Sequence, residues 1–130
     1  MLQTKIYSCA SGPQLIFSCS GAADVGELAD QVARKLTREG AGKMFCTAGI
    51  GGGISGIIEA TKAAEKIIAL DGCALGCAKC LLEKGGFAGI DHVCITDLGY
   101  IKGQTALNEV NIGKVADAVK ERLNAVRLEV

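Results

Sequence analysis

Short apolar segments alternate with amphipathic segments along most of this chain. The apolar segments have the length of β-strands, and their predicted bounds are 15–19, 43–48, 66–71 and 92–98. The amphipathic segments place their apolar residues three and four positions apart, which is the spacing of one helix face. The pattern therefore predicts strands that alternate with helices.

Four helices are predicted between and after these strands. The first begins at Asp24, where Asp24 and Glu27 resemble a capping box, and it stops at Gly40. A glycine-rich segment at 49–56 opens the second, which runs to about residue 64. The last two are predicted near 74–84 and 110–126.

This alternation is typical of a parallel sheet that is covered by helices on both faces. We predict a single α/β domain over residues 1–130, with a Rossmann-like or flavodoxin-like open sheet of about four strands in the order 2-1-3-4. The N-terminal segment before the first strand contains Cys9 and a Gly12–Pro13 turn. It is either an extra edge strand or a loop, and Cys9 is a candidate fifth thiol.

Composition narrows the classes of function. Lysine plus arginine is 14 and aspartate plus glutamate is 14, so the charge balance gives no reason to expect a nucleic acid or an anionic membrane as partner. We find neither the apolar core of a signal peptide nor the roughly 18 apolar residues of a membrane span. We expect a soluble, cytoplasmic protein, and the sequence identifies no protein partner.

Four of the seven cysteines are expected to meet at one edge of the sheet. Cys19 ends the first predicted strand, Cys46 lies late in the second, and Cys73 follows the third by two residues. Cys77 is one helical turn after Cys73 and is expected to share its helix face. The carboxyl ends of parallel strands lie along one edge, where helix N-termini favour thiolates.

A cluster of four thiolates predicts a metal site, and zinc is the metal that such a set fits first. The alternative interpretation is that Cys19 and Cys46 are small buried residues of the strands. A second alternative is a thiol protein in which a cysteine pair cycles through a disulfide or a persulfide.

Cys80 adds a third alternative and is a candidate additional ligand. Cys73, Cys77 and Cys80 have the spacing of the iron–sulfur motif in radical SAM enzymes, although 130 residues are too few for the barrel of those enzymes. Another kind of iron–sulfur cluster could still use these three thiolates with one strand-end thiolate.

The remaining candidates have plainer interpretations. Gly51, Gly53 and Gly56 fit the dinucleotide fingerprint, but we favour a tight turn that packs a helix close to the sheet. His92 precedes the fourth predicted strand and is expected on the surface, at the edge opposite the cysteines. Cys94 is predicted in the core, and Asp97 is either a cap or a partner of the cysteine site.

Several blocks of this sequence resemble the DGC domain family, which is named for the tripeptide at 71–73. The blocks, in chain order, are FSCSGAADVGELADQVARKL, MFCTAGIGGGISG, DGCALGCAKCLLEKGG and the DLG of 97–99. Together they extend from about residue 15 to residue 102. The order of these blocks is specific, whereas the tripeptide alone would be a weak signal.

The resemblance implies a zinc-binding domain with four chelating cysteines. Carried over position by position, these are Cys19, Cys46, Cys73 and Cys77, the same four that the predicted topology brings together. The resemblance implies no substrate and no pathway. The expected ligand is thus a metal ion, and the physiological role is left open.

Overall fold

A four-stranded, all-parallel sheet forms the centre of the protein. The computed structural model describes residues 13–125, so Cys9 and most of the N-terminal segment, expected as an edge strand or a loop, lie outside the described part. The strands are β1 (Gln14–Ser18), β2 (Lys43–Met44), β3 (Lys66–Asp71) and β4 (Asp91–Cys94). Their spatial order is β2-β1-β3-β4, which confirms both the predicted fold class and the predicted strand order.

Five helices and one 3-10 turn connect the strands. The helices are α1 (Asp24–Arg38), α2 (Thr47–Gly51), α3 (Ser55–Lys62), α4 (Cys77–Lys84) and α5 (Glu109–Asn124). The 3-10 turn, Ile95–Leu98, directly follows β4. Within residues 13–125, no helix combines the length and the apolar character that crossing a bilayer would need.

The two faces of the sheet bury two separate apolar layers. Ile16, Ile68 and Leu70 point to one face, where they pack with residues of α1 and α5. Leu15 and Phe17 point to the other face and pack with residues of α2, α3 and α4. This alternation follows from the two-residue period of a strand and places helices on both faces, as predicted.

Three predicted strands end earlier than the sequence indicated, the first by a single residue, since Cys19 follows β1. Phe45 donates its N–H to the carbonyl oxygen of Ile16 at 2.9 Å, and at Cys46 the chain turns into α2. Cys46 is therefore the residue before a helix and not a strand residue. The fourth strand stops at Cys94, because Ile95–Leu98 form the 3-10 turn. Apolar runs alone do not distinguish strand residues from the helical turns that follow them.

The helix predictions also need correction at their ends. Ala23, and not Asp24, precedes α1, and no side chain caps that end, so the capping-box interpretation is wrong. The glycine-rich segment separates two helices, because Gly53 adopts a left-handed conformation with φ 69°. Gly40 does end α1, as predicted, with φ 77°.

The turn between β3 and α4 is pressed against the start of α1. A Cβ atom on Gly72 would lie 2.6 Å from the carbonyl carbon of Val25 and 2.9 Å from the backbone nitrogen of Gly26. Such distances are too short for any side chain, and backbone atoms cannot move aside as a side chain can. Gly72 is thus required by a backbone-to-backbone contact.

We expect Gly72→Ala to destabilise the fold by about 1–3 kcal/mol or more, because the added methyl forces the β3–α4 turn away from α1. Gly113→Ala is the matched control, since Gly113 lies within α5 and has nothing within 4 Å of the added carbon. The control is expected to be neutral or to stabilise by about 0.5–1 kcal/mol. Urea unfolding of both variants makes the comparison, and equal effects would contradict the close contact.

Candidate functional site: a cysteine-rich edge of the sheet

All four predicted ligands lie in segments that follow the carboxyl ends of strands. Cys19 directly follows β1, Cys46 lies between β2 and α2, and Cys73 lies in the turn after β3. Cys77 is the first residue of α4. In a parallel sheet these segments belong to one edge, which is where sites form in open α/β folds.

Cys19 contacts the turn that carries Cys73. The N–H of Gly72 donates a hydrogen bond to the Cys19 Sγ at 3.3 Å. The two residues are 53 positions apart in sequence, and the neighbouring β1 and β3 bring them together. Cys19 is half-buried and packs against both apolar layers, so its sulfur is held at the sheet edge.

Cys46 is tied to the same edge through its neighbour. The hydroxyl of Thr47 donates to the carbonyl oxygen of Ser18 at 2.9 Å, which joins the start of α2 to the end of β1. Cys19 and Cys46 both border a groove with a volume of about 990 Å³. The alternative that Cys46 is a buried strand residue is wrong, because its side chain is exposed.

Cys73 lies next to a lysine that the sequence did not identify. The Lys102 Nζ is 3.7 Å from the Cys73 Sγ. Lys102 belongs to the segment between the 3-10 turn and α5, and that segment is fastened to α1 by Asp24. The Asp24 carboxylate accepts hydrogen bonds from the N–H groups of Gly103 and Thr105, both at 2.9 Å.

These contacts change the pKa of Asp24. Hydrogen bonds from the N–H groups of Gly103 and Thr105 hold the pKa of Asp24 below its ordinary value of 3.8. The ionised Asp24 carboxylate thus holds the segment that places Lys102 beside Cys73, and it does not cap α1. Contacts over 79 and 81 residues leave no local pattern in the sequence, which is why Lys102 was missed.

Cys73 and Cys77 do not share a helix face, contrary to the prediction. Gly76, with φ 62° and ψ 41°, interrupts the chain before α4, so the helix begins at Cys77 and not near residue 74. The Gly76 N–H donates to the Cys73 carbonyl oxygen at 3.1 Å, which makes this segment a turn. Cys77 and Cys80 both lie in α4, and both are exposed.

A buried carboxylate fixes the start of α4. Asp71 is 1% exposed, and it accepts hydrogen bonds from the N–H groups of Ala78 at 2.7 Å and Lys79 at 3.2 Å. The His92 Nε2 lies 2.8 Å from the Asp71 Oδ2, which is the same oxygen that accepts from Lys79. A carboxylate at a helix N-terminus satisfies free N–H groups and is attracted by the positive end of the helix dipole.

The position of His92 therefore differs from the prediction. It was expected on the surface at the opposite edge, but its ring contacts Asp71, which comes two residues before Cys73. A side chain on β4 can reach this point because His92 is paired with Ala69 on β3, only two residues before Asp71.

The other candidates have structural explanations. Cys94 is buried, as predicted, with its Sγ 3.3 Å from the Thr96 hydroxyl. Gly51 is the last residue of α2 rather than part of a strand-to-helix turn, so the segment lacks the arrangement of a dinucleotide fingerprint. Asp97 is exposed in the 3-10 turn.

The chemistry of the four thiols fits zinc, but the arrangement of their side chains is not that of a bound ion. Among residues 13–125, no three Cys, His, Asp or Glu side chains are grouped so that they could hold a metal. The cysteines that the structure describes are all free. The assignment of Cys19, Cys46, Cys73 and Cys77 as ligands stays a prediction.

We expect Asp71→Asn to cost about 1–3 kcal/mol of unfolding free energy, because a buried amide leaves some of the three donors around it without an acceptor. Asp97→Asn removes the same charge from an exposed position and should change stability by less than about 0.5 kcal/mol. Urea unfolding measures both. A loss for Asp71→Asn no larger than that of the control would contradict its role at α4.

Asp24 gives a prediction about pH. Its carboxylate is favoured in the folded protein, so its two bonds to the loop persist above its lowered pKa and are lost as the pH falls through that value. The amide NMR shifts of Gly103 and Thr105 should therefore titrate together below pH 3.8. Asp24→Asn should abolish this step, whereas Asp117→Asn, on the exposed face of α5, should preserve it. A step that survives in Asp24→Asn would identify a different acid.

Comparison with known proteins agrees with the resemblance in the sequence. A family model of the DGC domain matches residues 15–120. The anaerobic and virulence modulator AnvM of Pseudomonas aeruginosa strain PAO1 is 33% identical over 88 residues, which are 68% of this chain and 67% of AnvM. No solved structure matches. On the family match and on this identity, the chain belongs to the DGC domain family.

Proposed function

We propose that this protein binds a zinc ion through Cys19, Cys46, Cys73 and Cys77. The observation that carries the proposal is the hydrogen bond from the Gly72 N–H to the Cys19 Sγ, at 3.3 Å. It joins the Cys19 thiol, which follows β1, to the turn that contains Cys73. Four cysteine thiolates are one of the ligand sets that closed zinc sites use.

The surroundings of the sulfurs support a negatively charged cluster. The Lys102 ammonium group lies 3.7 Å from the Cys73 Sγ, and Cys77 occupies the N-terminal end of the α4 dipole. A zinc ion with four thiolates carries a net charge of about minus two, so nearby positive groups and N–H donors lower its energy.

Binding requires local rearrangement. Among residues 13–125 no three Cys, His, Asp or Glu side chains are grouped around a metal position, so side chains must move before all four sulfurs can share an ion, and Cys46 and Cys77 are exposed. The buried residues of the two apolar layers include none of these four cysteines, although Cys19 and Cys73 pack against them. The metal-free protein should therefore be folded, in contrast to a zinc finger.

A second function is favoured by the exposure of Cys77 and Cys80. These thiols are three residues apart at the start of α4, and a sulfur in that position is open to disulfide or persulfide chemistry. In this proposal the protein is a thiol redox or sulfur-transfer protein. The iron–sulfur alternative depends on the same Cys80, and a brown colour of the anaerobically purified protein would favour it.

The name of AnvM suggests a biological setting for either chemistry. That relative is called an anaerobic and virulence modulator. For this chain we propose only a modulating role. In this role a chemical change at the thiol site alters the behaviour of another component of the cell. A soluble, cytoplasmic protein would fit this role.

Metal content separates the proposed ligands from the other cysteines. We expect Cys73→Ser to lose most of the bound zinc, because a serine hydroxyl replaces a ligand whose turn leads directly to Cys77 at the start of α4. Cys94→Ser is the matched control, since Cys94 is buried and its sulfur contacts Thr96 instead. Zinc per chain is measured by mass spectrometry of anaerobically purified protein.

The outcomes distinguish the alternatives. Zinc loss in both variants, or in neither, would show that the ligands are wrongly assigned. Cys80→Ser tests the additional candidate, and we expect it to keep its zinc. Iron and sulfide in the wild-type protein, both lost in Cys80→Ser, would support the iron–sulfur alternative and contradict zinc.

A further inference from the structure

The groove beside Cys19 and Cys46 also borders β2, on the lateral side of the sheet. β2 is one of the two outer strands and has only two residues, Lys43–Met44, so the sheet does not cover the space between α1 and α2. The groove has a volume of about 990 Å³. Met44, Phe45 and Leu81 supply apolar parts of its lining, and none of them is fully buried. This size is that of a small-molecule site.

The lining of this groove carries an excess of positive charge. Arg34, Arg38 and Lys43 line it, together with one carboxylate, Asp30. Arg34 and Asp30 form an ion pair at 2.7 Å and neutralise each other. Among residues 13–125, the other two cations have no carboxylate partner, and Lys43 lies 5.9 Å from the centre of the Phe45 ring.

The nearest acidic side chain along the chain does not compensate Arg38. Glu39 is bound by Lys35 at 3.1 Å and by Lys120 at 3.0 Å. Those lysines also hold the pKa of Glu39 below its ordinary value, with Lys120 the larger cause. Within the described part of the chain, the groove thus offers two cations without a carboxylate partner, apolar walls and an exposed thiol to one ligand.

We propose that this groove binds an anionic, low-molecular-weight thiol of the glutathione class and that Cys46 exchanges with its disulfide. Arg38 and Lys43 would bind the carboxylates, and the apolar walls would contact the stem of the ligand. Cys46 is the reactive thiol because it is exposed, whereas Cys19 is half-buried and accepts the Gly72 N–H. The proposal goes beyond metal binding and uses Cys46 as a free thiol.

The exchange step is balanced without a further reagent. The Cys46 thiolate attacks one sulfur of glutathione disulfide, a bond forms between the two sulfurs, and the S–S bond of the disulfide breaks. The departing glutathione leaves with the electron pair and takes up a proton from water. Cys46 is oxidised to a mixed disulfide, and half of the reagent is reduced to the thiol.

The experiment compares two disulfides of opposite charge. Metal-free protein is treated separately with glutathione disulfide, which is anionic, and with cystamine, which is cationic. Mass spectrometry of peptides then gives the rate of modification at Cys46 for each. We expect glutathione disulfide to react faster than cystamine, and Arg38→Gln/Lys43→Gln to lower the ratio of the two rates about fivefold or more.

The control variant removes the same charge elsewhere. Lys84→Gln/Lys114→Gln changes two exposed lysines outside the groove and should keep the wild-type ratio. S-methylglutathione, which cannot exchange, should shift the amide NMR signals of Lys43 and Phe45 in the wild type and in Cys46→Ser. A ratio unchanged by Arg38→Gln/Lys43→Gln, or no shift with S-methylglutathione, would overturn the proposal whether or not the protein binds zinc.

Discussion

The close backbone contact at Gly72 is the constraint on which the cysteine-rich edge depends. The turn after β3 has no room for a side chain there, because the carbonyl carbon of Val25 would lie 2.6 Å from an added Cβ. The same residue donates its N–H to the Cys19 sulfur. One glycine thus joins β1, β3 and α1, and it explains physically why a glycine stands between Asp71 and Cys73.

Two carboxylates fix the positions of the chain segments that surround the thiols. Asp71 holds the start of α4 through the N–H groups of Ala78 and Lys79, while Asp24 holds the loop that brings Lys102 to Cys73. Both act by accepting backbone hydrogen bonds, which fixes chain segments more firmly than contacts between long side chains. The thiols themselves make few bonds, so they are available to a ligand.

The sequence alone was sufficient to predict the sheet and to place the cysteines near its carboxyl edge. The centre of a buried strand such as β3 is apolar from Ile67 to Leu70, and right-handed crossovers leave few strand orders, so the predicted fold class and strand order were correct. The sequence did not reveal that the second strand ends before Cys46 or that α4 begins only at Cys77, because the pairing of Phe45 and the conformation of Gly76 decide these ends locally. His92 and Lys102 were missed because tertiary contacts place them, and such contacts have no period in the sequence.

We propose that thiols from three strand ends bind one zinc ion, and X-ray absorption at the zinc edge tests this binding most directly. The anaerobically purified or zinc-reconstituted protein should show a first shell of four sulfur atoms at about 2.3 Å. A shell made mainly of nitrogen or oxygen atoms at about 2.0–2.1 Å would contradict the claim, since it would exclude the four thiols as ligands.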